Sequence, residues 1–155
     1  MPSPLYPVCE EKMRQMLVSF LFLAGIFQAL PGECRMIDLY IGNRKLTVEV
    51  AETPGQQMQG LMFRESIPDN FGMLFIYNDE ETRSMWMKNT LVHLDLIFLD
   101  RERRVIDMYM NVPPCTCSPC PSYPSRKPAQ YVLELKGNRS TELGLKVGDR
   151  VFFIL

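Results

Sequence analysis

Histidine is almost missing from this chain: of 155 residues only His93 carries an imidazole. A Ser-His-Asp triad, a Cys-His pair or a histidine-built zinc site therefore has little to draw on. No serine stands in a G-x-S-x-G setting, which removes the hydrolase elbow as well. Excess charge of either sign is also lacking, since 17 basic residues face 18 acidic ones for a net charge of -1. With no basic stripe and no interleaved aromatics, the electrostatic footprint of a nucleic-acid binder is absent, and nucleic acid is not an expected partner. Internal repeats are lacking too, and the length suits one core. No apolar run reaches the roughly 20 residues of a spanning helix.

One shorter run does exist. Residues 16–30, MLVSFLFLAGIFQAL, are uncharged and follow Lys12 and Arg14, the basic and apolar layout of an export signal. Glu10 and Glu11 dilute the basic region, and QALPGEC offers no A-x-A site ahead of Cys34; a start at Met13 would remove the first objection. Residues 1–34 thus read as a signal peptide or N-terminal anchor, and residues 35–155 as a single β-rich domain. The expected location is periplasmic or extracellular, with any membrane contact made through the N-terminal segment.

Within the exported part, MIDLYI and KLTVEVA flank Gly42-Asn43-Arg44 as a hairpin. Thr53-Pro54-Gly55-Gln56 is a capping box opening a helix that runs to about Phe63 or Arg64, with Met58, Leu61 and Met62 on its core face. Strand-like runs follow at 72–77, 84–89, 94–100, 105–111, 130–136 and 150–155, and Ser140 can cap one helical turn. Residues 112–129 hold six prolines and three cysteines without periodicity, so they form a loop. About eight strands and two short helices predict a mainly β fold, a compact closed or nearly closed barrel.

Six motifs in order carry a family likeness: Gly60-Leu61-Met62-Phe63-Arg64, Gly72-Met73-Leu74-Phe75, Trp86-Met87-Lys88-Asn89-Thr90, Leu94-Asp95, Tyr131-Val132-Leu133-Glu134-Leu135 and Val147-Gly148-Asp149. Together they resemble the domain-of-unknown-function 192 family. The resemblance implies a small, often exported, mainly β domain. It implies no activity, ligand or catalytic set.

Candidate chemistry gathers on Arg64, Trp86, Lys88, Asn89, Asp95 and Glu134. On a strand, Ser84, Trp86 and Lys88 share one face, and an aromatic plate beside an ammonium suits a carbohydrate or an anionic small molecule. Asp95 lies in phase with Ile97 and Leu99, where a carboxylate needs a partner; Lys88 and Arg64 are the cations in motif order. A buried structural ion pair is the plain alternative. Asp95 and Glu134 as acid and base on a glycan form the enzymatic alternative.

The Cys115-Thr116-Cys117-Ser118-Pro119-Cys120 run, with Met62, Met73, Met85 and Met87, suits an exported copper carrier. Disulfide pairing outweighs metal in an oxidising compartment, so no metal and no cofactor is expected. The family likeness points to Cys115 with Cys120, leaving Cys117 over. The expected function is a non-enzymatic ligand-binding or accessory module with its pocket at the WMKNT segment.

Overall fold

A computed structural model describes residues 35–155. The export segment predicted at residues 1–34 lies outside the described residues. No described helix is long and apolar enough to cross a membrane.

The chain opens as the hairpin of β1 (Met36–Ile41) and β2 (Arg44–Ala51). Ile41 stands opposite Arg44, so the turn holds two residues, and its first, Gly42, takes a φ of 58° that a side chain would disfavour. Alternation in β2 turns Leu46 and Val48 into one core. Helix α1 (Pro54–Gln59) starts as predicted: Thr53 Oγ1 accepts from the Gln56 N–H, and Gln56 Oε1 accepts from the Thr53 N–H at 3.0 Å.

The helix stops earlier than its pattern predicts. Gly60 leaves helical geometry at φ 49° and ψ -137°, so 61–64 form a turn rather than a last helical turn. Met58 consequently projects into solvent at 68 % exposure, against the expected core role, while Leu61 is buried.

Strands β3 (Phe71–Glu81), β5 (Leu94–Leu99), β6 (Val105–Val112), β8 (Ala129–Lys136) and β9 (Val151–Phe153) complete one seven-stranded sheet in the order β6-β5-β8-β3-β2-β1-β9. Every neighbouring pair is antiparallel except β2 with β3, joined by the crossover that carries α1. The sheet curls until its two edges touch at one end: Val105 donates to the Asp149 carbonyl and Gly148 to the Val105 carbonyl, each at 2.8 Å. The fold is thus mainly β, a curled half-barrel pinned where Arg104 pairs with Arg150.

Strands β4 (Ser84–Trp86) and β7 (Ser122–Pro124) form a separate two-stranded sheet, so the described residues hold nine strands. Strand β7 lies inside the proline-rich segment predicted as loop. Its three residues pair on one side only, which is where prolines are tolerated.

Both faces of the sheet are covered, giving two cores. One holds Leu39, Leu46, Leu74, Ile97, Leu133 and Phe153. The other holds Phe75, Leu96, Phe98 and Val132 under a cover made by Leu61, Ile67, Met85 and Met87. All six residues of β5 are buried as a result. Each fully buried Leu, Ile or Phe contributes about 1.5–3 kcal/mol.

Candidate functional site

Trp86 ends β4, with Met85 and Met87 directed into the second core and Ser84 and Trp86 outward, as period two requires. The chain then turns, the Thr90 N–H donating to the Met87 carbonyl at 3.2 Å. Lys88 therefore sits in a turn rather than on a strand, yet its Nζ lies 5.3 Å from the centre of the Trp86 ring. Asn89 adopts φ 55° and is exposed, not on the face of Met85 and Met87 as strand phase would have it. Its carbonyl accepts from the Phe63 N–H at 2.8 Å, which fastens the turn after α1 to the turn after β4. Phe63 and Leu91 are both exposed.

Arg64 follows Phe63. Its guanidinium donates to Glu49 Oε2 at 2.5 Å and lies over the Phe71 ring at 5.2 Å from the centroid. Glu49 was not foreseen as its partner. The cross-strand register sets Glu49, Met73, Glu134 and Leu96 in one row on one face of β2, β3, β8 and β5.

Glu134 in that row is 4 % exposed, and its Oε2 has no hydrogen-bond partner. Loss of water around this carboxyl pushes its pKa up to about 8, with the charge of Arg64 drawing it the other way. Gly60 covers it: a Cβ there would meet Glu134 Oε2 at 3.7 Å and the Phe75 ring at 3.2 Å. Arg64 and Glu134 are thus neighbours, as are Trp86 and Lys88, and Asn89 links the two pairs through Phe63.

Asp95 stands apart. It is fully buried and in phase with Ile97, as predicted, but neither Lys88 nor Arg64 reaches it. Its Oδ1 accepts from the N–H groups of Asn111 at 2.7 Å and Asn138 at 2.9 Å, and its Oδ2 accepts from the Ser140 N–H at 2.7 Å and the Ser140 hydroxyl. Three backbone N–H groups and one hydroxyl, not a cation, satisfy this carboxylate. Helix α2 (Arg139–Glu142) has Asn138 before its first residue, so Ser140 is not the cap predicted for it. Asp95 serves the N-terminus of α2 from β5 instead.

Asp95 opposes Leu135 and Glu134 opposes Leu96, so the two acids point to opposite faces of the sheet. The two carboxyl groups therefore share no face of the sheet, which counts against the acid–base alternative. A further buried carboxylate, Asp107, carries no sequence signal of its role. It takes the Arg126 N–H and guanidinium and the Met108 N–H, and the side chain of Arg126 foremost holds its pKa below the usual carboxylate range. A hydrophilic residue on a β-leaning run gave no signal of that partnership.

Cys115 and Cys120 are joined by a disulfide, with Cα atoms 5.7 Å apart, and Cys117 is free and exposed. Met73, Met85 and Met87 are buried in the second core, with half-buried Cys115 packed against that core. Among the described residues, no three His, Cys, Asp or Glu side chains group as a metal cage. An open depression lined by Asp38, Tyr40, Arg103 and Phe152 lies by β1 and β9 and includes none of the predicted site residues.

The profile of the family described as Uncharacterized ACR, domain-of-unknown-function 192, matches residues 38–153. The chain belongs to this family. Two crystal structures are similar to it. One, from Sinorhizobium meliloti 1021, whose description proposes a transcription regulator, is 32 % identical with a TM-score of 0.71, over 81 % of this chain and 98 % of that one. The other, a protein of unknown function from Novosphingobium aromaticivorans DSM 12444, is 32 % identical with a TM-score of 0.67, over 77 % of this chain and 84 % of that one. No curated protein matches. Membership of the 192 family agrees with the six motifs and assigns no reaction.

Proposed function

We propose that the chain is a non-enzymatic binding module that works outside the cytoplasm and holds a carbohydrate or anionic small molecule at Trp86, Lys88, Asn89 and Arg64. The observation that carries this reading is the Lys88 ammonium beside the half-exposed Trp86 ring. A sugar or planar ligand stacks on such a ring, and an anionic group pairs with the ammonium. Arg64 is one-fifth exposed at its side chain and offers a second cation at the rim. Export is supported by the uncharged run after Lys12 and Arg14, and by a disulfide of the kind that persists in oxidising compartments.

An acid–base glycosidase is disfavoured because Asp95 and Glu134 face opposite sides of the sheet. The regulator description of the Sinorhizobium protein is not carried over, because the net charge of -1 gives no basic stripe for nucleic acid. Trp86 is the only tryptophan, so its fluorescence reports the site directly. Titrating the protein with neutral sugars, sugar phosphates and small anions should change that emission and raise the melting temperature together, and Lys88→Ala should lose both responses to the anions. Flat titrations across all three classes would end this reading.

A further inference from the structure

The proline-rich loop carries chemistry that a binding site does not use. Its Cys115–Cys120 disulfide encloses a third cysteine, and of the three only Cys117 is exposed while the bonded two are half-buried. The Sγ atoms of Cys115 and Cys120 lie 3.0 Å and 3.7 Å from the Cys117 carbonyl oxygen, so the backbone of the free cysteine folds against the bond itself. Cys117 and Cys120 have two residues between them, the Cys-x-x-Cys spacing of dithiols that close and exchange readily. The loop is held at both ends. The Cys115 N–H donates to the Met87 carbonyl at 3.3 Å, and Ser122 pairs with Trp86.

We propose that these three cysteines form a thiol–disulfide exchange site that takes a disulfide substrate, with Cys117 as the first attacking thiol. In the loop reduced to three thiols by an external dithiol, which leaves as its own disulfide, the Cys117 thiolate attacks one sulfur of a disulfide R–S–S–R; the Cys117–S–R bond forms, the substrate's S–S bond breaks, and RS⁻ leaves. The Cys120 thiolate then attacks the Cys117 sulfur and expels the second RS⁻, closing Cys117–Cys120. Finally the Cys115 thiolate attacks the Cys120 sulfur, forming the observed bond and returning Cys117 as a thiolate. Two protein thiols are oxidised by two electrons, one substrate disulfide is reduced to two thiols, and the two protons given up by the protein go to the leaving thiolates. Attack begins at Cys117 because it alone of the three is exposed, and access to the attacking sulfur sets the rate of exchange.

The test uses the full chain, reduced and then freed of reductant, with glutathione disulfide as probe at pH 8. Samples are quenched in acid, alkylated and mapped by peptide mass spectrometry, with Cys9 and Cys34 read on separate peptides. The expected sequence is a glutathione adduct on Cys117, then Cys117–Cys120, then Cys115–Cys120. Cys117→Ser keeps both half-buried sulfurs and should slow closure of Cys115–Cys120 by about tenfold or more. Closure in Cys117→Ser at the wild-type rate, or a first adduct on Cys115 or Cys120, would overturn the proposal.

Discussion

Asp95 and Glu134 sit one register step apart across the same pair of strands and face opposite cores. Their surroundings are as different as their directions. Asp95 has four donors on its two oxygens, whereas Glu134 has an oxygen with none. Each therefore responds differently to loss of its charge.

Asp95→Asn puts an NH₂ group where one oxygen now accepts, and that group meets donors on either side. Backbone N–H groups of Asn111, Asn138 or Ser140 then lose their acceptor inside the protein. The variant should be less stable by about 3 kcal/mol, since buried bonds to a charged acceptor are worth more than neutral ones. Urea melts measure this directly, and an unchanged midpoint would show that the carboxylate does not organise α2.

Glu134 predicts a pH dependence with a definite sign. Its folded pKa of about 8 exceeds the usual 4.5, so the folded chain holds a proton that the unfolded chain releases. Stability then falls as pH rises from about 4.5 to about 8. Glu134→Gln should flatten that slope and gain on the wild type most at pH 8. Asp107 does not interfere, because its depressed pKa removes stability only as pH falls below the ordinary carboxylate value of 3.8. Equal slopes in variant and wild type would exclude Glu134 as the source.

Gly72 faces β8 without room for a methyl group. A Cβ there would come within 2.6 Å of both the Glu134 carbonyl oxygen and Leu135 Cδ2. Gly72→Ala must separate β3 from β8 and should cost about 1–3 kcal/mol, as overpacking does. A calorimetric scan with no fall in melting temperature would mean that the two strands can part freely.

Export is checked by a fusion. Residues 1–35 ahead of a reporter that works only outside the cytoplasm should give activity, and replacing Lys12 and Arg14 with Glu should reduce it. A silent reporter would withdraw the location proposed for the binding module.

The parts of the fold legible in sequence are those set by near neighbours. The Gly42 hairpin, the Thr53 capping box and the strand runs each depend on residues a few positions apart. Strand β7 was hidden because three residues between prolines carry no period, and its partner β4 is 38 positions away at the Ser84–Ser122 contact. At the site, period two placed Trp86 outward and buried Met85 and Met87, but a positive φ at Asn89 broke the phase. Burial of Asp95 followed from its strand, yet three of its four donors are main-chain N–H groups 16 to 45 residues away, and a backbone N–H leaves no mark on the sequence.

Strand β1 is fastened on its outer side by β9, with Leu39 opposite Phe153. The strand completed earliest in synthesis therefore waits for the one completed last, and the sheet cannot acquire its edge until nearly the whole domain has left the ribosome. Such long-range pairing makes for slow closure. Late arrival of that edge strand is compatible with the export proposed for this chain.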